Sequence, residues 1–150
     1  MDHGSFAFYV AMLRKSFVSY CTERIPDLGV TYVQLFVLIY ISKRSSCSSK
    51  EIAEYLRLDA GQLNRILTKL IAKDLVTQRK SSTDRRFNVL SLTKNGERTV
   101  EESHGLFHSW DDQVLSDMDD DSRQELTDLM KKLVLKSNEN MGGRRDGQTE

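Results

Sequence analysis

Polar and basic side chains of residues 60–73 form a set with the chemistry of nucleic-acid recognition. The set consists of Gly61, Gln62, Asn64, Arg65, Thr68 and Lys69. An arginine can pair with guanine through two hydrogen bonds, and a glutamine or asparagine can pair with adenine in the same way. A glycine has no side chain, so Gly61 permits a phosphate to approach the backbone closely. These residues are the first candidates for contact with DNA.

A second set lies in the stretch 80–86, which reads Lys-Ser-Ser-Thr-Asp-Arg-Arg. Arginine is favoured in a narrow minor groove because the groove concentrates negative potential. We therefore expect Lys80, Arg85 and Arg86 to contact DNA. Asp84 is out of place beside a phosphate, so we expect its carboxylate to accept hydrogen bonds from a neighbouring arginine and to orient it. The alternative is a loop whose charges only keep it soluble.

The distribution of charge indicates where a polyanion would bind. The whole chain has no net charge, with 22 Lys/Arg and 22 Asp/Glu. Residues 57–98, however, carry ten Lys/Arg against four Asp/Glu, a local excess of +6. Residues 99–141 carry four Lys/Arg against eleven Asp/Glu, a local excess of −7. The basic middle segment is therefore the candidate surface for a nucleic acid.

Capping signals and hydrophobic periodicity predict the elements that position these residues. Thr31–Gln34 and Ser48–Glu51 have the capping-box pattern that opens a helix, and Asp59 is expected to cap a third helix. The second and third of these helices are short and joined by a tight turn, which is a helix-turn-helix pattern. Alternating apolar residues at 75–79 and 87–92 then predict two strands joined by the basic loop, an arrangement called a wing.

Further helices flank this core on both sides. Apolar residues recur at helical spacing over 6–20, and this helix is expected to stop near Pro26. Thr93 is expected to cap a long helix towards Met118, and Ser122 is expected to cap a last one. The predicted fold class is mainly α with a small β-wing, a winged helix-turn-helix domain flanked by N- and C-terminal helices.

The domain boundaries follow from these elements. We expect one domain over 1–138, with the winged core at 28–98 and the flanking helices at 5–25 and 99–137. The flanking helices bear apolar stripes outside the compact core, and a lone winged-helix unit would have little use for them. The tail 139–150 contains three glycines and is expected to be disordered.

Five short motifs occur in a specific order between Leu28 and Arg98. They are Leu28-x-x-Thr31-x-x-Gln34, Glu51-Ile52-Ala53-Glu54-Tyr55-Leu56, Lys73-Asp74-Leu75-Val76, Asp84-Arg85-Arg86 and Leu92-Thr93-Lys94-Asn95-Gly96. Together they resemble the MarR (multiple-antibiotic-resistance regulator) family. The sequence departs from that pattern at Asp74, where glycine is common, and at Gly61 and Leu63, where small hydroxyl residues often occur. These departures should alter sequence preference more than fold.

The resemblance implies a transcriptional regulator that binds double-stranded DNA as a homodimer. The first, fifth and sixth helices would be the dimerisation helices. A two-fold dimer would place its recognition helices about one DNA turn apart on a pseudo-palindromic operator. Repression, with release by a small-molecule effector, is the mode of action that the resemblance favours.

Members of the family often bind small aromatic effectors between the dimerisation helices and the DNA-binding lobe. The residues of this chain that would line such a pocket are Tyr9, Met12, Leu13, Phe36 and Tyr40. The alternative is that these side chains simply form the hydrophobic core, because apolar stripes are core by default. The sequence contains no cluster that identifies a ligand.

A thiol-redox sensor and a zinc sensor are alternative regulators with the same fold. Cys21 and Cys47 are isolated, and a reactive thiol needs a lowered pKa, for which Arg24 is the cation near Cys21. Otherwise both cysteines are reduced and fill space. His104 and His108 have a spacing that can bind zinc from one helix face, but two histidines are an incomplete site. We expect no cofactor and no bound metal.

Other classes of protein lack their signals in this sequence. There is no glycine-rich phosphate loop, nucleophile elbow, HExxH motif or recognisable carboxylate pair, so an enzyme is not expected. No run approaches the roughly 18 apolar residues that span a bilayer, and residues 1–10 lack signal-peptide features, so we expect a cytoplasmic protein with no membrane partner. A winged-helix module that binds protein stays an alternative, although it would not need cations on both the helix and the loop.

Overall fold

Capping side chains and hydrophobic periodicity produce six α-helices and one two-stranded sheet in residues 4–142, the part of the chain that the computed structural model describes. The elements are α1 Phe6–Arg24, α2 Tyr32–Ser42, α3 Ser49–Leu56, α4 Ala60–Ala72, β1 Val76–Lys80, β2 Asn88–Leu92, α5 Lys94–Val114 and α6 Asp120–Gly142, with a 3-10 turn at Ile25–Leu28. They group into two compact units, one of residues up to Trp110 and one from Asp111 onward. The predicted fold class is confirmed.

Capping boxes begin the three helices of the winged core. In α2 the Thr31 hydroxyl accepts a hydrogen bond from the Gln34 N–H (3.3 Å), and Gln34 Oε1 accepts one from the Thr31 N–H (3.1 Å). The same pair of bonds begins α3 at Ser48 and α4 at Asp59. Each box satisfies backbone donors that the first turn of a helix leaves without partners. The starts predicted for these helices are confirmed.

The core of the first unit supports α4 and the sheet from behind. Its fully buried side chains include Leu35, Leu38, Ile41, Ile52, Leu63, Leu70, Val76 and Leu90. Burial of each Leu or Ile side chain contributes roughly 1.5–3 kcal/mol relative to leaving it exposed. This core therefore holds the helix-turn-helix and the wing as one support for the residues on their outer surfaces.

The wing is an antiparallel hairpin that is anchored on its second strand. Val76 lies opposite Leu92 and Lys80 lies opposite Asn88 in the register of β1 and β2. On the other edge of β2, Leu90 exchanges two hydrogen bonds with Cys47 (Cys47 N to Leu90 O 3.1 Å, Leu90 N to Cys47 O 2.8 Å). The connection between α2 and α3 thus continues the sheet by one bridge.

The base of the wing contains a strained aspartate and an obligatory glycine. Asp74 has φ 57°, the left-handed conformation that costs a residue with a side chain roughly 1–2 kcal/mol. Its carbonyl accepts a hydrogen bond from Thr93 Oγ1 (2.6 Å), and its Oδ2 accepts one from Asn95 Nδ2 (3.0 Å). These bonds explain how an aspartate stands where glycine is common. At Gly96 a Cβ atom would collide with the Leu75 carbonyl, so glycine is required there.

Helix α1 ends at Arg24, as the proline at position 26 predicts. Its second half buries Cys21, while the apolar side chains of its first half are exposed; they are Phe6, Phe8, Tyr9, Val10, Met12 and Leu13. Judged by length and composition alone, no single described helix could cross a membrane, although the segments Phe6–Leu28 and Tyr32–Ser42, bent by 77°, pass that test as a pair.

The second unit begins differently from the prediction. Ser122 does not cap α6: the helix starts at Asp120, and the Asp119 carboxylate accepts a hydrogen bond from the Ser122 N–H (2.8 Å). The predicted cap was wrong because an aspartate three residues upstream offers a charged acceptor, which the positive end of a helix dipole favours.

The ends of α5 and α6 also differ from the prediction. Helix α5 ends at Val114 rather than near Met118, and the Arg123 guanidinium donates to the carbonyls of Leu115 (3.1 Å) and Met118 (3.2 Å) in the turn that follows. Helix α6 continues to Gly142, beyond the expected boundary at residue 138. The remainder of the tail predicted to be disordered, residues 143–150, lies outside the described residues.

Candidate nucleic-acid interface

Helix α4 has one face in the core and one face open to solvent. Leu63, Leu67 and Leu70 are buried, and they recur at the spacing of a single helix face. The opposite side is exposed and includes every residue that the sequence analysis singled out on this helix: Gly61, Gln62, Asn64, Arg65, Thr68 and Lys69. The structure therefore brings the first predicted set together on one surface.

The residues of that surface are not equally available to a ligand. Gln62 Oε1 accepts a hydrogen bond from the Asp59 N–H (3.3 Å), which leaves its amide NH2 group for other partners. Thr68 Oγ1 donates to the Asn64 carbonyl (2.8 Å), so its hydroxyl proton is used within the helix. Arg65 and Lys69 make no ion pair with another described residue. These two cations are the strongest donors on the exposed side of α4.

Gly61 lies in the first turn of α4, close to the carboxylate that caps it. A Cβ atom at this position would come within 3.3 Å of Asp59 Oδ1, tighter than most such contacts. The glycine thus keeps space beside the capping aspartate. It also leaves the start of the helix free of a side chain, as the proposed approach of a phosphate requires.

The turn before α4 is held by a left-handed residue. Arg57 has φ 56° and caps α3, and the Leu58 N–H donates to the Ala53 carbonyl (3.0 Å). This arrangement satisfies a carbonyl at the end of a helix and redirects the chain sharply. It sets the position of Asp59, and therefore of the whole exposed face of α4, relative to α3.

The loop between β1 and β2 is organised by Asp84. Its carboxylate accepts hydrogen bonds from Arg86 Nη2 (2.9 Å), from Arg86 Nε (3.1 Å) and from the Arg86 backbone N–H (3.0 Å). The side-chain bonds, and then the backbone bond, lower the pKa of the Asp84 carboxyl below its usual value, and the same pairing raises the pKa of Arg86. The prediction that Asp84 orients a neighbouring arginine is confirmed, and the arginine is Arg86.

Lys80, the last residue of β1, and Arg85, in the loop, are exposed, as Arg86 is, but differ from it in their pairing. Arg85 and Lys80 make no ion pair within residues 4–142. At the start of the loop, Ser81 Oγ accepts hydrogen bonds from the backbone N–H groups of Thr83 and Asp84, both at 3.3 Å. The loop is thus internally bonded, with Arg85 at the turn presented to solvent.

A polar cavity that the sequence did not predict lies between α4 and the wing. Its volume is about 140 Å³, and it is lined by Ser49, Asn64, Leu67, Thr68, Ile71, Gln78, Asn88 and Leu90. Gln78 and Asn88 face it from the two strands, beside Asn64 and Thr68 of α4. The amides come together only because the two strands pack on α4. Strand alternation does indicate that Gln78 and Asn88 lie on the same side of the sheet as the inward-facing Leu90.

Lys73 is a basic residue at the end of α4. The sequence did not indicate whether its side chain points to solvent or to another part of the protein. Its Nζ donates to the Gly29 carbonyl (2.7 Å) and lies 3.5 Å from Gln34 Oε1. The ammonium group therefore ties the end of α4 to the segment that precedes α2. This lysine has its partners within the protein.

The five predicted effector-pocket residues lie in different environments in this chain. Tyr9, Met12 and Leu13 are exposed on α1. Phe36 packs in a cluster of aromatic rings, with Tyr32 (centroids 4.7 Å apart) and Phe107 (6.0 Å) as neighbours. Tyr40 is buried, and its ring packs at a tilt against that of Tyr55 (4.9 Å). Neither the cavity beside α4 nor a second one of about 600 Å³ near Val100 and His104 is lined by any of the five. The apolar face of α1 is exposed in this chain. Helical periodicity alone could therefore not assign these residues to a site.

Both cysteines are buried free thiols. Burial, opposed only in part by the charge of Arg24, raises the pKa of the Cys21 thiol to about 11. Burial and the nearby Glu51 carboxylate raise the pKa of Cys47 to about 11 as well. Arg24 itself lies over the Tyr20 ring, 3.9 Å from its centroid. The environment of each thiol therefore disfavours the thiolate that redox chemistry requires.

His104 and His108 are both exposed on α5. Among the described residues, no group of three or more His, Cys, Asp or Glu side chains has an arrangement that could hold a metal ion. The two histidines thus lack a third ligand in this part of the chain.

A helix-turn-helix followed by a basic hairpin defines the class of winged-helix proteins, and comparison with known proteins gives the family. The model of the MarR family matches residues 28–86. The chain is 36% identical over 129 residues to the HTH-type transcriptional regulator BilQ of Clostridium symbiosum, covering 86% of this chain and 90% of that one. It is 33% identical over 91 residues to the HTH-type transcriptional regulator SarZ of Staphylococcus aureus, covering 61% and 60% of the two chains. The chain belongs to the MarR family and is a DNA-binding transcriptional regulator.

Solved structures agree with this fold. A crystal structure of MarR superposes with a TM-score of 0.85 at 19% identity and covers 95% of this chain and 98% of its own. The reduced form of MarR from E. coli gives a TM-score of 0.75 at 25% identity, with 86% of this chain and 96% of its own covered. The resemblance inferred from the five motifs is confirmed.

Proposed function

We propose that this protein is a homodimeric repressor that binds a pseudo-palindromic operator, with α4 in the major groove and the loop 81–87 in the minor groove. The observation that carries this proposal is the pairing of Asp84 with Arg86 on a basic loop that follows a helix whose exposed side is polar and cationic. A loop charged only for solubility would not need a carboxylate that holds one arginine in a two-pronged bond. A regulator of this kind acts where the chromosome is, in the cytoplasm.

The direct readout of bases falls to α4. Arg65 suits guanine, because a guanidinium can donate to O6 and N7 together, and Asn64 suits adenine. Lys69 and the N-terminal turn at Gly61 suit phosphates, since a lysine is a point charge and a helix start presents free N–H groups. Gln62 has one amide group left for a base after its capping bond.

Exposed apolar surface on both compact units of the chain supports the homodimer. In the first unit, α1 exposes 62% of Phe6 and 47% of Leu13. In the second unit, α6 exposes 63% of Leu135 and 49% of Leu129. Monomeric soluble proteins rarely expose contiguous apolar patches of this kind, and such patches mark interaction sites. A second copy of the chain would cover these helix faces.

Regulation by a small aromatic effector is the mode we favour over the two alternatives of the same fold. The raised pKa values of Cys21 and Cys47 argue against a thiol sensor. The absence of a third ligand beside His104 and His108 in the described part of the chain argues against a zinc sensor. Phe36 in its ring cluster, rather than the full predicted set of five, is the residue to vary when effectors are screened.

The test is an unbiased selection of DNA bound by the full chain, followed by titrations of the recovered sequence. The proposal expects an inverted repeat whose half-sites are about 10 base pairs apart from centre to centre, bound by two protomers. Recovery of a direct repeat, or of no enriched sequence, would contradict it. A protein-interaction module, the remaining alternative, would enrich no DNA. Addition of phenols, peroxide or zinc to the complex then identifies the class of signal.

A further inference from the structure

The side chain of Phe87, at the end of the wing loop, is exposed, and the proposed function gives it no role. Phe87 exposes 56% of its surface, and among the described aromatic residues only Phe6 exposes a larger fraction. Phe6 lies on α1, whose apolar face the proposed dimer would cover. Phe87 lies on the basic hairpin, outside the helices through which the proposed dimer would form.

The backbone holds Phe87 in one place. Its N–H donates to the Asp84 carbonyl (3.1 Å), and its carbonyl accepts a hydrogen bond from the Ser81 N–H (2.9 Å). The next residue, Asn88, is already paired with Lys80 in the sheet. Phe87 itself lies in the bend just before β2, and its side chain is exposed. The ring is therefore presented to solvent by an ordered turn.

The surroundings of the ring are cationic. Arg85 and Arg86 precede it directly, and the Arg86 guanidinium carbon is 6.0 Å from the centroid of the ring. A partner of this surface must combine negative charge with an apolar face. The walls of a DNA minor groove have this combination, because the deoxyribose rings lie between the phosphates. A patch on a protein would need acidic groups on both sides of an apolar pocket to match it.

We propose that Phe87 is an additional DNA-binding residue whose ring packs against deoxyribose in the minor groove, beside the arginines of the loop. The wing then contacts the groove through shape as well as charge. This inference rests on the proposed function, since it needs the loop 81–87 to enter the groove. It assigns to Phe87 an apolar contact that neutralises no phosphate.

The experiment compares four proteins on one operator fragment recovered with the wild-type chain. They are the wild type, Phe87→Ala, Phe87→Leu and Arg85→Ala, with affinity measured by fluorescence anisotropy at several salt concentrations. Phe87→Ala should weaken binding about tenfold without a change in the slope of log K against log salt, because an apolar contact releases no counterions. Phe87→Leu should recover most of the affinity. Arg85→Ala should reduce the slope by about 0.9 for each phosphate contact that is lost.

Hydroxyl-radical footprinting supplies a readout that a merely structural role would not change. The radical attacks deoxyribose from the minor groove, so Phe87→Ala should lose protection at the sugars nearest the wing and keep protection elsewhere. An unchanged footprint, or unchanged affinity, overturns the inference. So does a loss of affinity that comes with a lower melting temperature or a dissociated dimer. If Arg85→Ala also leaves the salt slope unchanged, the proposed insertion of the wing is itself wrong. Failure of the Phe87 contact can thus be distinguished from failure of the proposed function.

Discussion

The carboxylate of Asp84 holds the guanidinium of Arg86 in a two-pronged hydrogen bond, with Oδ2 2.9 Å from Nη2 and Oδ1 3.1 Å from Nε. The same carboxylate also accepts from the Arg86 backbone N–H. An acidic residue on this basic loop thus orders the loop and aims one of its two arginines. Arg85, next to it, has no such partner among the described residues.

Asp84→Asn should change selectivity more than total affinity. Asparagine cannot accept both guanidinium bonds with a full charge, so Arg86 becomes free to neutralise a phosphate on any sequence. We expect the ratio of operator to random-DNA affinity to fall about tenfold and the salt slope to increase by about 0.9 for each phosphate contact that Arg86 gains. Anisotropy titrations on both DNAs measure this. If the ratio is the same as in the wild type, the orienting function of Asp84 is wrong.

Alanine variants of Arg65 and Lys69 should distinguish base readout from phosphate contact. Arg65→Ala should cost about 1–3 kcal/mol on the preferred site and relax base preference at one position, if its guanidinium binds a guanine. Lys69→Ala should weaken all sequences by similar factors and lower the salt slope. Repeating the DNA selection with each variant reports the difference. Equal losses on all sequences for both variants would show that the recognition surface is misassigned.

Lys73→Met should reduce the stability of the fold and leave DNA binding unchanged, unlike the loss of Arg65 or Lys69 on α4. Its ammonium donates to the Gly29 carbonyl (2.7 Å), so the variant loses a charged hydrogen bond that ties α4 to the start of α2. Such a bond is worth about 1 kcal/mol for an exposed group, and the free energy of unfolding in urea should fall by that amount. The salt slope of DNA binding should not change, with Lys69→Ala as the matched control. A reduced slope would show that Lys73 contacts phosphate instead.

Stability should fall between pH 9 and pH 11 because of the two buried thiols. In the folded chain the pKa values of Cys21 and Cys47 are about 11, against an ordinary value of 9.0. The unfolded chain therefore loses these protons first, and the folded state, which keeps them, loses stability as the pH rises through that window. Each thiol contributes a loss of roughly 2–3 kcal/mol by pH 11. Urea unfolding at pH 8 and pH 10.5 tests this, and Cys21→Ala should remove the part of the dependence that one thiol contributes, while Tyr32 and Tyr40, whose pKa values burial also raises, keep theirs. An equally steep profile in that variant would contradict the assignment.

Local signals allowed much of the fold to be predicted from the sequence. The capping boxes at Thr31 and Ser48 and the cap at Asp59 act within one helical turn, so the pattern of residues suffices to place them. The strands of the wing follow from the same kind of local alternation. The cap of α6 was misplaced because the capping-box pattern at Ser122 was followed, although the Asp119 carboxylate three residues upstream is the acceptor that the helix dipole favours.

The parts of the site that the sequence missed depend on contacts between distant segments. Gln78 and Asn88 join Asn64 only when the sheet packs on α4. Lys73 looks like a DNA-facing cation until its bond to Gly29, 44 residues away in the chain, is seen. The effector set stays a prediction, since Tyr9, Met12 and Leu13 are exposed on α1 and their partners depend on contacts that periodicity does not give.

The most direct test of the central claim is the salt dependence of binding to the selected operator. If α4 and the wing of two protomers neutralise six or more phosphates, raising the salt from about 50 to about 200 mM should lower the affinity by about 10³ or more. The double variant Lys69→Ala with Arg85→Ala should lose a large part of that dependence. Binding that is insensitive to salt, or a double variant with the wild-type dependence, would contradict the account.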